Sequence, residues 1–263
     1  MSARLIRIVS ALLAAAASSA CLIAVVDLSD PSGVRGWGEF QEVVPFPAGG
    51  TILFETGAGD VDILGWDRDE VEITARHSGR SLEPGYYWLG HLRWIDTPPQ
   101  VFVDRFDDLL KIRAEDEEGV VFRIRVPHSV VLDSLRCRAG SVILADVYGR
   151  AVIDVRQGDV RVANYSGSLD ISVGRGNADA ELLDLRAGDD IKVTVAAGDI
   201  HVFLEEEVSA LVDAGAPLGR VTSEFDLGQK LPATKVQGKI KDGQALISLA
   251  AAQGSITLKR IED

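Results

Sequence analysis

From Thr51 onward, apolar and polar positions alternate in short runs, as in Val61-Asp62-Ile63 and Val71-Glu72-Ile73. No segment keeps apolar residues at i, i+3, i+4 and i+7 for the length of a helix. A period of two belongs to strands with one buried face, so the pattern predicts an all-β chain. A second pattern lies over the first. Gly140, Gly149, Gly158, Gly167 and Gly176 follow one another at intervals of nine, and each opens an alternating apolar segment such as Ala151, Ile153 and Val155 or Leu169, Ile171 and Val173. Gly188 and Gly198 continue the series with slipped spacing. The short motif Gly-[Asp/Asn/Ser]-apolar-x-apolar starts at Gly59, Gly140, Gly158, Gly176, Gly198 and Gly254.

Nine residues accommodate a strand of about five and a turn of about four, with glycine supplying positive φ at the turn. One such unit cannot bury its apolar face alone. Two units form a coil of about 18 residues, and coils stacked at about 4.8 Å share a continuous core. The predicted fold is therefore a single-domain β-solenoid resembling a parallel β-helix. The competing arrangement is a β-sandwich of hairpins, which seldom holds one spacing through five turns.

The start of the chain is patterned differently. Arg4 and Arg7 precede an unbroken apolar run from Ile8 to Val26, ended by Asp27 and Asp30, and this reads as an export signal or membrane anchor over residues 1–26. Ser18-Ser19-Ala20-Cys21 leaves three outcomes open. Cys21 is the lipidation candidate, because small residues before a cysteine resemble a bacterial lipobox. Ser18 stands where that motif usually has Leu. Cleavage without lipid is the second outcome. Retention as a spanning helix is the third, since Ile8 to Val26 is an uncharged stretch of 19 residues, long enough to cross a bilayer. All three place the remainder outside the cytoplasm. Residues 27–47 carry Pro31, Gly33, Gly36, Gly38, Pro45 and Pro47 and are expected to form a linker, with the β-strand-repeat domain over 48–263.

Composition narrows the partners. The formal charge is −13, and the sequence lacks the excess of Lys and Arg that binding a phosphate backbone requires, so nucleic acid is excluded as a partner. Cys21 and Cys137 are the two cysteines; with Cys21 lipidated or in the membrane, Cys137 has no disulfide partner, and its alternation with Leu135 and Ala139 makes it a small core residue.

No catalytic motif emerges. Gly174-Arg175-Gly176-Asn177 lacks the third glycine and the helix of a dinucleotide fingerprint, and His77, His91, His128 and His201 lack metal-ligand spacing. No cofactor or metal is expected. Asp60, Asp159 and Asp199, which follow glycines, are expected to cap turns rather than bind calcium. In-register coils would align Arg161, Asp179 and His201 on an outer face, with Glu181 beside them. Polysaccharide-cleaving β-helices place carboxylates on such a face, which keeps a carbohydrate-active hydrolase or lyase as an alternative. Short turns leave nothing to wall a cleft, so a solvated face is expected. Tyr86, Tyr87, Trp88 and Trp94 crowd into nine residues. They form either a local core or a stacking platform, and Tyr87, Trp88 and Trp94 are the binding candidates. Lys230, Lys235, Lys239 and Lys241 are expected on a solvated edge that deters strand pairing.

The stretch Val61-Asp62-Ile63-Leu64-Gly65-Trp66-Asp67 with Asp69-Glu70-Val71-Glu72-Ile73, then Arg125-Val126-Pro127-His128-Ser129-Val130 leading into the Gly-Asp-Val repeats, resembles the bacterial putative-adhesin family of β-strand-repeat domains of unknown function, related to adhesin head domains. The resemblance runs from about Gly50 to Leu258 and implies an envelope-associated, non-catalytic, solenoid-like domain. The stretch from His77 to Pro99 departs from it. Together these readings predict a membrane-tethered envelope binding or scaffolding protein, facing periplasm or cell exterior, whose partner is an envelope glycan or a surface protein. An envelope sensor or regulator is a further alternative.

Overall fold

Each nine-residue unit folds as a strand followed by a tight corner, and successive units alternate between two facing sheets of ten strands each. The computed structural model describes residues 38–77, 98–114 and 119–261. These lie in one compact unit, 37–263. Two strands make a rung. In stacking order the rungs are Leu109–Ala114 with Val120–Pro127, Thr51–Ala58 with Val61–Trp66, Val131–Ala139 with Val142–Ala145, and Ala151–Gln157 with Val160–Tyr165. They continue with Leu169–Arg175 and Ala178–Leu182, Asp190–Ala197 and Ile200–Leu204, Ala245–Gln253 and Ile256–Arg260, and Ala210–Gly215 and Val221–Ser223. The first strand of every rung joins one sheet and the second joins the other.

Neighbouring rungs pair in parallel. Ala151 faces Leu169 and Val160 faces Ala178, 18 residues on in each case. Leu169 faces Ile191 and Ala178 faces Ile200, where a corner insertion lengthens the coil to 22. The all-β solenoid of about 18 residues per coil is thus the observed fold, and Val160 and Ile171, at 1% and 0% exposure, point inward as the alternation requires.

Three features extend that reading. Rungs leave chain order at both ends: residues 51–66 lie between 109–127 and 131–145, and residues 245–260 insert between 190–204 and 210–223. The ends carry antiparallel strands. Glu70–His77 and Glu39–Pro45 extend one sheet beyond the first rung, Val101–Phe106 extends the other, and Lys235–Ile240 closes that second sheet at the eighth rung. The linker expected over 27–47 is therefore corrected in its last part. Glu39–Pro45 pairs residue by residue with Glu70–His77, because Phe40 and Val44 find apolar cover on the same face. The signal or anchor over 1–26, with Cys21, and the residues Tyr87, Trp88 and Trp94 lie outside the described residues.

The core is a single column of Val, Ile, Leu, Ala and Phe between the sheets, with Phe54 and Phe122 packed edge to face at 4.9 Å. Cys137 is buried in it as a free thiol, its Sγ 3.6 Å from the Gly59 carbonyl, and desolvation raises its pKa. Tyr165 is fully buried at a corner, where its single hydroxyl proton is shared between the carbonyl oxygens of Ser168 at 2.8 Å and Gly149 at 2.9 Å, and burial pushes its pKa up.

Candidate functional site

The two corners of each rung do different work. At the first corner the Gly-[Asp/Asn/Ser] motifs stack into two ladders. A Cβ on Gly140, Gly158 or Gly198 would sit 2.0 Å from the carbonyl oxygen of the glycine one rung below, so backbone contact as well as positive φ demands glycine there. Beside it, Asp60 Oδ1 accepts from Ser141 N at 2.8 Å, Asp159 Oδ1 from Asn177 N at 2.7 Å, Asn177 Oδ1 from Asp199 N at 2.9 Å and Asp199 Oδ1 from Ser255 N at 2.7 Å. Asp60, Asp159 and Asp199 bond backbone N–H groups as expected, but those of the turn one rung on, and Asn177 joins them in the same ladder. Among the described residues no group of three or more His, Cys, Asp or Glu is placed to hold a metal ion.

The outer face of the second-strand sheet carries the aligned column. Arg161 faces Asp179 and Asp179 faces His201 in register, with His201 Nδ1 2.8 Å from Asp179 Oδ1. Both side chains are about two-fifths exposed (38% and 43%) on the outer face of the sheet. Trp66, on the same face, donates its indole N–H to Glu70 O and lies beneath the guanidinium groups of Arg68 and Arg125. Its polar edge and its ring are both occupied from within the molecule.

The second corner is open. A groove of about 590 Å³ runs along it, lined by Ser129, Tyr148, Asn164, Ser166, Asp184 and Arg186 among others. Three non-glycine residues line its rungs in the left-handed region: Asp146 (φ 57°), Asn164 (φ 48°) and Asp184 (φ 49°). Asn and Asp tolerate this conformation better than other L-residues. Asn164 donates its side-chain amide to Asp146 Oδ1, and Asp184 N donates to Glu205 Oε2 at 2.9 Å. Tyr148 lines the groove, 39% exposed and stacked on His128 at 5.2 Å and 13°. His128 is held in turn: Nδ1 donates to Asp146 O at 2.6 Å, and Nε2 lies 3.3 Å from Asp67 Oδ1. Gly149 and Gly167 let these turns close, since a Cβ on Gly167 would meet Gly149 O at 2.0 Å. The arrangement offers one fixed aromatic face beside hydroxyl, amide, carboxylate and guanidinium groups.

Residues 134–259 match the Toastrack DUF4097 family. The Toastrack match begins in the third rung and includes every later rung strand except the last residue of the seventh, so the glycine and Asx ladders from Gly140 to Ser255 fall inside it. A solved structure of a putative cell adhesion protein from Clostridium sporogenes aligns with 85% of this chain and 100% of its own, at 12% identity and a TM-score of 0.44. A putative adhesin from Bacteroides fragilis aligns with 85% of this chain and 97% of its own, at 13% identity and a TM-score of 0.41. No curated protein matches the chain.

The second-corner groove is what sequence reasoning missed. Its signal is present: Asp146 and Asn164 each precede a repeat glycine by three residues, and Tyr148 and Ser166 by one. Once alternate glycines are assigned to opposite corners, those residues must stack.

Proposed function

We propose that this chain is an exported, non-catalytic envelope-binding module whose Toastrack rungs present the second-corner groove to a glycan. The observation that carries the reading is the Tyr148 ring, stacked on His128 in the lining of a polar groove. Sugars have apolar faces and hydroxyl rims, so a rigid aromatic face beside convergent polar groups suits them, and a ring already held in place loses little entropy on binding. The apolar run from Ile8 to Val26 supports export, with Cys21 as the residue that would carry a lipid tether. Tyr87, Trp88 and Trp94 belong to the same proposal as a second aromatic contact. The hydrolase or lyase alternative has the Asp179–His201 pair on its side. That pair is solvent-screened, whereas acid–base catalysis draws its strength from a site closed to water.

The test is binding of the full-length chain in detergent to a panel of envelope glycans, with Tyr148→Ala and Tyr148→Phe. Loss of about 10-fold or more in affinity for Tyr148→Ala, retention in Tyr148→Phe and nearly equal melting temperatures are expected. Unchanged affinity in Tyr148→Ala, or release of reducing or unsaturated sugar ends by the wild type, would overturn the reading.

A further inference from the structure

On both sheet faces, where described cross-strand neighbours are both charged, they are opposite in sign. Arg161 faces Asp179, Arg125 faces Glu72, Lys192 faces Asp170, and Arg136 lies between Glu55 and Asp154. One place breaks the pattern. Cys137 faces Val155 and Ala139 faces Gln157, so the residues between them, Arg138 and Arg156, are cross-strand neighbours on the outer face of the first-strand sheet. Both are exposed, and neither forms an ion pair among the described residues. Adjacent strands lie about 4.8 Å apart, a spacing at which like charges directly opposite destabilise a sheet.

The neighbours of the pair are equally unusual. The same row continues as Gly57 on one side and as Gly174, Ala196 and Ala252 on the other, as the flanking pairs show. The next row beyond Asp154 holds Ser172, Thr194 and Ala250. The row thus carries two guanidinium groups followed by Gly174, Ala196 and Ala252 on the next three rungs, at right angles to the strands, with exposed Gln157, Arg175 and Gln253 along its corner side.

We infer that Arg138 and Arg156 bind the carboxylates of a linear anionic polysaccharide laid along this row. Guanidinium groups bind carboxylate oxygens through paired N–H donors, and an anion between the two groups converts a local repulsion into two charge-assisted contacts. The overall charge of −13 opposes a densely charged polymer such as nucleic acid. For a polyuronate the attraction is therefore local, confined to the carboxylates over Arg138 and Arg156, while the rest of the polymer lies over Gly174, Ala196 and Ala252. Gly174, Ala196 and Ala252 offer nothing to insert into a bilayer, which favours a polymer on the sheet over a lipid surface. The site is separate from the second-corner groove, and the inference rests on the proposed glycan-binding role only in the class of ligand.

The experiment measures binding of polygalacturonate, neutral dextran and phosphatidylglycerol-doped micelles to the full-length chain in nonionic detergent. The variants are Arg138→Glu, Arg156→Ala and Tyr148→Ala. Arg138→Glu sets opposite charges across the strands, so it should raise the melting temperature by about 1–3 °C while lowering polygalacturonate affinity at least about 10-fold. That combination separates a ligand site from a structural role, in which binding and stability would fall together. Arg156→Ala should lose the same binding, Tyr148→Ala should retain it, and added salt should weaken it. Polygalacturonate binding that survives both arginine changes overturns the inference. So does preference for the lipid-doped micelles, equal binding of dextran, or absence of binding to the anionic polymer. Loss of neutral-glycan binding in Tyr148→Ala alone would leave the groove proposal standing without this one.

Discussion

At the scale of single residues, the repeat glycines are constrained in two separable ways. Gly158 has φ 140° and a neighbouring carbonyl where a Cβ would go, 2.0 Å away. Gly188 has φ 94° with nothing within 4 Å of that position. Gly158→Ala should therefore cost about 2–4 kcal/mol, combining backbone strain with a clash that pushes two rungs apart. Gly188→Ala should cost about 1 kcal/mol, from strain alone. Denaturant melts of both variants check this, and equal losses would show that close rung contact does not matter. The spacing of nine made the positive φ legible in the sequence. The contact was not, because a carbonyl one rung below belongs to a residue 18 to 81 positions away and appears only when the stack is built.

At the scale of elements, the Asx column has an order that no single repeat shows. Read up the first corner, it runs Asp60, Ser141, Asp159, Asn177, Asp199, Ser255, so no two carboxylates occupy adjacent rungs. Like charges about 4.8 Å apart would repel, and a neutral residue between them keeps the hydrogen-bond ladder without that cost. Asn177→Asp retains an acceptor for Asp199 N yet sets three carboxylates in consecutive rungs. It should lower stability by about 0.5–1 kcal/mol at low ionic strength and recover most of it in high salt. Asn177→Ala should lose about 0.5–1.5 kcal/mol at any salt concentration, because it removes a bond. Melting curves with and without salt distinguish the two, and a salt-independent loss in Asn177→Asp would refute the charge account. The capping role of Asp60, Asp159 and Asp199 was legible from the motif. The alternation follows the chain order of the six motifs; what the sequence hid is that Asp60 with Ser141 and Asp199 with Ser255 occupy adjacent rungs, because the intervening residues 109–127 and 210–223 are displaced to the ends of the stack.

For the whole molecule, a stack of rungs is nearly one-dimensional, and what the core does not close must be closed at the ends. The sheet formed by the first strands terminates in Lys235–Ile240 after the eighth rung and in Val101–Phe106 before the first. The first of these edges is guarded. Lys235 and Lys239 are exposed on the strand, Lys230 and Lys241 flank it, and Lys241 pairs with Glu207, lowering the pKa of that carboxylate. Charged side chains on an edge make pairing with another chain unfavourable, and the lysine cluster was readable in this sense before the strand was known. The other edge is less protected, with Phe102 and Phe106 at 42% and 62% exposure. If the lysines act as guards, replacing Lys235 and Lys239 by Val should create an apolar strand edge with free N–H and C=O groups. The variant should remain folded, with a melting temperature within a few degrees of the wild type, and should form concentration-dependent oligomers by light scattering. Phe102→Lys with Phe106→Lys should move the opposite edge the other way and suppress any self-association the wild type shows. A monodisperse Lys-to-Val variant at all concentrations would mean that the twist of the last rung, and not its charge, keeps the stack from growing.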